Sequence, residues 1–191
     1  IFKQIFNFDN SFRTDAGQFD ILTDDGQTLA LGSITITALY VPGHTRADMA
    51  YMAADKEKTV VFVGDTLFAP DVGTARCDFP GGDAKTLYHS IQKLLALPED
   101  TVMYLCHDYP SKGRQHCPTT TVAAQKLENI HVKDSINEAE FVDMRERRDA
   151  TLDMPRLIIP AVQVNIDAGH FPEPEDNGTR YLKVPINVLG E

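Results

Sequence analysis

Apolar residues fall in short blocks along the chain, separated by Gly, Pro and acidic residues. Residues 29–41 (LALGSITITALYV) are rich in β-branched side chains with partial alternation, which predicts a strand or hairpin stopped by Pro42-Gly43. Residues 48–53 predict a second short strand, and 55–58 (DKEK) a polar turn. Residues 59–63 (TVVFV) form a continuous apolar run, as expected of a strand buried on both faces. Residues 101–106 (TVMYLC) read as another buried strand, with Cys106 as a buried thiol.

The helical signals come later. Leu87, Ile91, Leu94 and Leu95 recur at helical spacing within 83–97, with Asp83 as N-cap and Pro98 as stop. Residues 119–130 and 137–148 predict two more helices, the second densely charged. Residues 1–19 are ambiguous, a helix remnant followed by a loop. Residues 154–191 contain five prolines and little periodicity, so an extended arm is expected there. Residues 64–82, rich in Gly, Asp and Pro, predict no regular element; a loop of this length inside a compact domain is usually functional. Strand pairs followed by strand, helix, strand and helix suit a sheet covered by helices, in the α+β or α/β class.

Composition narrows the function more than the fold. At 191 residues the chain can bury one core, and 42% apolar with 24% charged residues is ordinary for a globular protein. A formal net charge of −10 argues against nucleic acid or an anionic membrane as the main partner, while leaving room for a small anion bound by a local cation. No apolar run is long enough to span a bilayer, and residues 1–10 lack the basic and apolar regions of a signal peptide. Three scattered cysteines, Cys77, Cys106 and Cys117, do not make a disulfide framework; their odd number suits a reducing compartment such as the cytoplasm.

Candidate chemistry sits at strand ends. His44 follows the first strand region in PGHT, Asp65 follows TVVFV in GDT, and His107 follows TVMYLC in HDY. Loops leaving one edge of a sheet are where binding groups gather. Imidazole and carboxylate suit zinc, iron and manganese, and two His with one carboxylate favour non-haem iron. Plainer roles stay open for each: His44 as a surface hydrogen-bonding group, Asp65 as a cap, and Tyr109 as a loop-packing aromatic. His89 reads as a helix-face residue, and His116, His131 and His170 as surface groups.

The segments VPGHT, FVGDTLF and LCHDY resemble the later motifs of the metallo-β-lactamase superfamily. The stretch GDTLFAPDVGTARCDFPGGDAKTLYHSI, with Arg76, Asp78, Phe79 and Gly82, resembles persulfide dioxygenases, the glutathione-dependent branch near glyoxalase II. The resemblance runs from about residue 39 to the tail. It implies an αββα sandwich in which residues 1–191 are the C-terminal two-thirds of one domain, incomplete at the N-terminus, with a Pro-rich tail from about 154. It further implies that His44 and Asp65 are metal ligands and catalytic. In a dioxygenase they would hold one Fe(II) per intact chain, with His107 nearby. In a hydrolase of glutathione thioesters, with one or two Zn(II), Asp65 would bridge two metals and His107 would bind the second. Arg76 and Tyr109 would bear on the substrate, glutathione persulfide or a related small thiol; a salt bridge from Arg76 to Asp78 or Asp83 is the alternative.

The superfamily's first motif, His-x-His-x-Asp-His, does not occur in these 191 residues. The expectation is therefore a truncated chain that binds metal weakly and catalyses little. A third outcome follows, an inert piece whose bared apolar surface and strand edge favour a homo-oligomer.

Overall fold

A computed structural model of the chain describes residues 14–184, with Lys3 and Ile186. Thr23–Thr151 form one compact unit; the other described residues belong to a second. Most of residues 1–19, the ambiguous stretch, lies outside the described residues.

The first unit is built on one mixed six-stranded sheet in sequence order: β1 (Thr28–Leu31), β2 (Ile34–Tyr40), β3 (Met49–Ala54), β4 (Thr59–Phe62), β5 (Val102–Tyr104) and β6 (Thr119–Thr121). The 29–41 block is a hairpin, its turn passing through Gly32 at a φ of 61°. Only β4 and β5 pair in parallel; the other neighbours are antiparallel. Two antiparallel steps, β2 to β3 and β3 to β4, give β2 the same direction as β4 and β5. The C-terminal ends of these three strands therefore lie on one edge of the sheet, and each is followed by one of the candidate ligands.

Helix α1 (Ala84–Leu95) connects β4 to β5, as a parallel pair requires. Asp83 caps it by accepting from Thr86 N–H. Leu87, Ile91, Leu94 and Leu95 are buried in one cluster with Val41, Ala50, Val61, Val63 and Met103 of the sheet region. Each of the Leu, Ile, Val and Met side chains contributes about 1.5–3 kcal/mol by burial. Helices α2 (Val122–Glu128) and α3 (Glu138–Asp149) extend this layer, the latter opened by an Asn137–Glu140 capping box. Phe141 of α3 meets Tyr88 of α1 at 5.5 Å between ring centroids.

The opposite face of the sheet differs from expectation. The register places Tyr51, Phe62 and Tyr104 side by side on it, and all three are exposed. Phe62 and Tyr104 stack at 5.1 Å. So β4 and β5 are buried on one face only: Val61 and Met103 point into the core, and their neighbours do not. Continuous apolar character carries no information about which face is covered.

Two further expectations are corrected. Residues 119–121 are a strand, and the helix starts after Thr121, which caps it through Ala124 N–H. In the second unit the tail includes a helix, α4 (Ile158–Asn165). Pro160 sits in its first turn, where its missing N–H costs nothing, so the prolines do not exclude it. Gln163 ties α4 to Lys183 by two hydrogen bonds of 2.8 and 2.9 Å. No described helix is long and apolar enough to cross a membrane.

Candidate metal centre

His44 is fixed from several sides. Gly43 has a φ of 140° and lies against α1, where an added Cβ would come within 2.3 Å of Leu87 Cα. Asp83 N–H donates to Gly43 O (2.9 Å) and Ser90 Oγ to Pro42 O (2.6 Å), so α1 clamps the turn. Asp48 accepts from both Thr45 N–H and Thr45 Oγ. His44 Nδ1 lies 2.6 Å from Arg76 O. A carbonyl only accepts, so Nδ1 is the donor to it, and Nε2 is the ring nitrogen turned toward the site. Nε2 faces Asp65 Oδ2 at 3.7 Å. One ring nitrogen held by a carbonyl and the other turned toward a second candidate ligand is an arrangement that suits a metal-ligating histidine.

Asp65 leaves β4 after Gly64, which takes a φ of 58°. Its second oxygen, Oδ1, faces His107 Nε2 at 3.2 Å and accepts from Cys106 Sγ at 2.8 Å. The carboxylate thus stands between two imidazoles, one on each oxygen. His107 stacks on Tyr109 (5.7 Å) and meets the edge of Phe68 (6.3 Å). Tyr109 is itself largely exposed and packs against Phe68.

Arg76 is engaged locally. Its guanidinium donates to Asp78 at 2.6 and 2.5 Å and lies 5.1 Å from the Phe79 ring centroid, which in turn is 5.0 Å from the His44 ring. The Arg76 bond holds the Asp78 carboxyl below its ordinary range. Asp83, the other candidate partner, caps α1 instead. The 64–82 loop contains no strand or helix, but it is not loose: Leu67, Phe68, Ala69, Thr74 and Ala75 are buried.

Several residues escaped the sequence reading. Cys106 is exposed rather than a buried structural thiol, because it follows the last paired residue of β5 and turns to Asp65. Partial desolvation of the sulfur and the Asp65 carboxylate push the thiol up to about 12. Asp108, next to His107, accepts a forked pair from Arg114 (2.9 and 2.5 Å) and Cys117 N–H (2.7 Å), while Arg114 also reaches Asp71. Arg114 depresses the Asp108 carboxyl to about 2. His131 is buried, not a surface group: its Nδ1 accepts from Thr74 N–H at 3.0 Å, and its ring covers Gly73. Arg145 and Asp149 of the charged helix are buried as a pair (2.6 Å), with Asp149 also accepting from Cys77 N–H. A charged helix pattern gives no sign of which ionic residues turn inward.

The donor set fits a divalent cation: one ligand atom from each of Asp65, Cys106 and His107 lies within 4.8 Å of the others, and His44 stands across the carboxylate. Residues 8–107 match the metallo-β-lactamase superfamily, and the chain belongs to it. It is 53% identical over 99% of its length to a probable metallo-hydrolase of Burkholderia pseudomallei, and 50% over 98% to Glyoxylase B2 of Dictyostelium discoideum. The chain spans only 66% and 63% of those two proteins. The human mitochondrial persulfide dioxygenase ETHE1 is 29% identical over 82% of the chain and 57% of its own length. The crystal structure of ETHE1 from Myxococcus xanthus superposes with a TM-score of 0.68 at 34% identity, covering 79% of this chain and 61% of that one.

Proposed function

We propose that this chain contributes to a glutathione-dependent persulfide dioxygenase, oxidising glutathione persulfide with dioxygen and water to sulfite and glutathione. One observation carries the reading. The Arg76–Phe79 loop, part of the stretch that resembles persulfide dioxygenases, delivers the carbonyl that orients His44 toward Asp65. The likeness to the two ETHE1 proteins supports the same branch.

In this reading His44 and Asp65 would hold one Fe(II). The ion, when bound, supplies one-electron chemistry with dioxygen and the terminal persulfide sulfur. Arg76 O keeps His44 in the ligating tautomer. Asp78 and Phe79 hold the Arg76 side chain, so that residue acts on substrate chiefly by shaping the loop. Tyr109, exposed beside His107, offers an aromatic wall to the small thiol. The whole reaction needs further ligands, which the His-x-His-x-Asp-His motif supplies in the superfamily pattern. The exposed Tyr51, Phe62 and Tyr104 face favours self-association when uncovered.

A second reading is a two-metal hydrolase of glutathione thioesters. The split of the Asp65 oxygens between His44 and His107 favours it, as do the names of the two relatives near half identity. Oxygen uptake by the intact iron-loaded protein, complete in the superfamily's metal ligands, with glutathione persulfide decides between them. Uptake with sulfite release is expected. Thioester cleavage without uptake overturns the dioxygenase reading.

A further inference from the structure

The Oδ1 side of Asp65 has a donor that the iron reading does not use. Cys106 Sγ sits 2.8 Å from Asp65 Oδ1, and His107 Nε2 is 3.2 Å from the same oxygen. One ligand atom from each of the three residues lies within 4.8 Å of the others. In a tetrahedral zinc shell, ligand atoms stand about 3.4 Å apart, so only small rotations are needed to admit an ion. The thiol has no packing duty to hold it elsewhere, because Cys106 lies past the end of β5 and is exposed. The site is open to an incoming ion for the same reason. Two features hold the remaining donors ready: Asp108 is locked to Arg114, which braces the segment carrying His107, and the Tyr109 ring stacks on the imidazole.

We propose that Cys106 is a metal donor, completing with Asp65 and His107 a cation site that selects a thiophilic divalent ion such as zinc, cobalt or cadmium. Thiolate is a soft ligand, and its presence turns a His/carboxylate set away from magnesium and manganese. As the ion binds, a sulfur–metal bond forms, the thiol proton passes to the buffer and a water leaves the ion. The site shares only Asp65 with the two residues proposed to hold iron, Asp65 and His44, the latter facing the Oδ2 oxygen. The two readings therefore fail separately.

Titrating the purified full chain with Co(II) tests it, read by absorption. Expected is a near-ultraviolet thiolate-to-cobalt charge-transfer band that saturates with one ion. Cys106→Ser loses the band and weakens cobalt binding by more than about tenfold, the least that loss of even a supporting partner costs at a metal site. Cys117→Ser, which alters an exposed thiol bonded to Thr119 O, retains the band. Cobalt bound with no charge-transfer band, or a band that survives in Cys106→Ser, overturns the assignment of Cys106 while leaving the iron reading untouched. Failure of wild-type protein to bind cobalt also overturns it. Iron-dependent oxygen uptake is scored separately.

Discussion

His131 gives the most quantitative prediction. Its Nδ1 accepts the Thr74 N–H at 3.0 Å, so a proton cannot be added there without turning a hydrogen bond into a clash of two donors. Burial pushes the imidazole down to about 4, helped by the nearby Arg145 and Arg148 charges. In the unfolded chain the group returns to its ordinary value of 6.5. Between those two values the unfolded state binds the extra proton, so stability rises with pH there. The contribution is complete above about pH 6.5 and is lost as pH falls toward 4. From pH 7.5 to 4.5 the linkage amounts to about 2.5 kcal/mol. Urea unfolding of wild type and His131→Asn across that range isolates it, since the Asn Oδ1 can replace the acceptor. Wild type should lose about 2.5 kcal/mol more than the variant over the interval. Parallel pH profiles would refute the claim that His131 is held neutral.

Other predictions address the same framework. Asp149→Ala leaves Arg145 buried without its carboxylate and Cys77 N–H without an acceptor; a loss of about 3–5 kcal/mol is expected by denaturant titration. Gly43→Ala drives a Cβ onto Leu87 of α1 at a backbone angle that suits glycine; it should cost about 1–3 kcal/mol and weaken metal binding together, as read by thermal melting and dialysis. Phe62→Ser with Tyr104→Ser changes exposed side chains, so stability should move little, while light scattering should show less self-association. Asp108 is depressed by Arg114, so its contribution is complete above about pH 4 and lost as pH falls toward 2; Asp108→Asn should flatten acid unfolding in that window.

The sequence made some levels of this protein readable and hid others. The hairpin, β4 and α1 were legible because β-branched runs and helical spacing report local geometry directly. The convergence of the His44, Asp65 and His107 positions was legible too, since strand direction alone brings three loops to one edge. What no local pattern carries is the second partner. Cys106 ends an apolar run, the pattern of a buried thiol, yet it turns to Asp65 because β5 stops two residues earlier. His131 reads as a surface group, and no local pattern turns Arg145 and Asp149 inward, because Thr74 and Cys77, which these residues bond, lie more than fifty residues away. The open face of β4 and β5 is likewise a property of the packing layers, not of the strand itself.

Anomalous diffraction from crystals of the chain soaked in zinc tests the shared-carboxylate site most directly. A peak within coordination distance of Asp65, with His107 and Cys106 around it or His44 on its other side, is the expected result. Zinc elsewhere on the molecule, with the Asp65 carboxylate bound only by its protein neighbours, would contradict it.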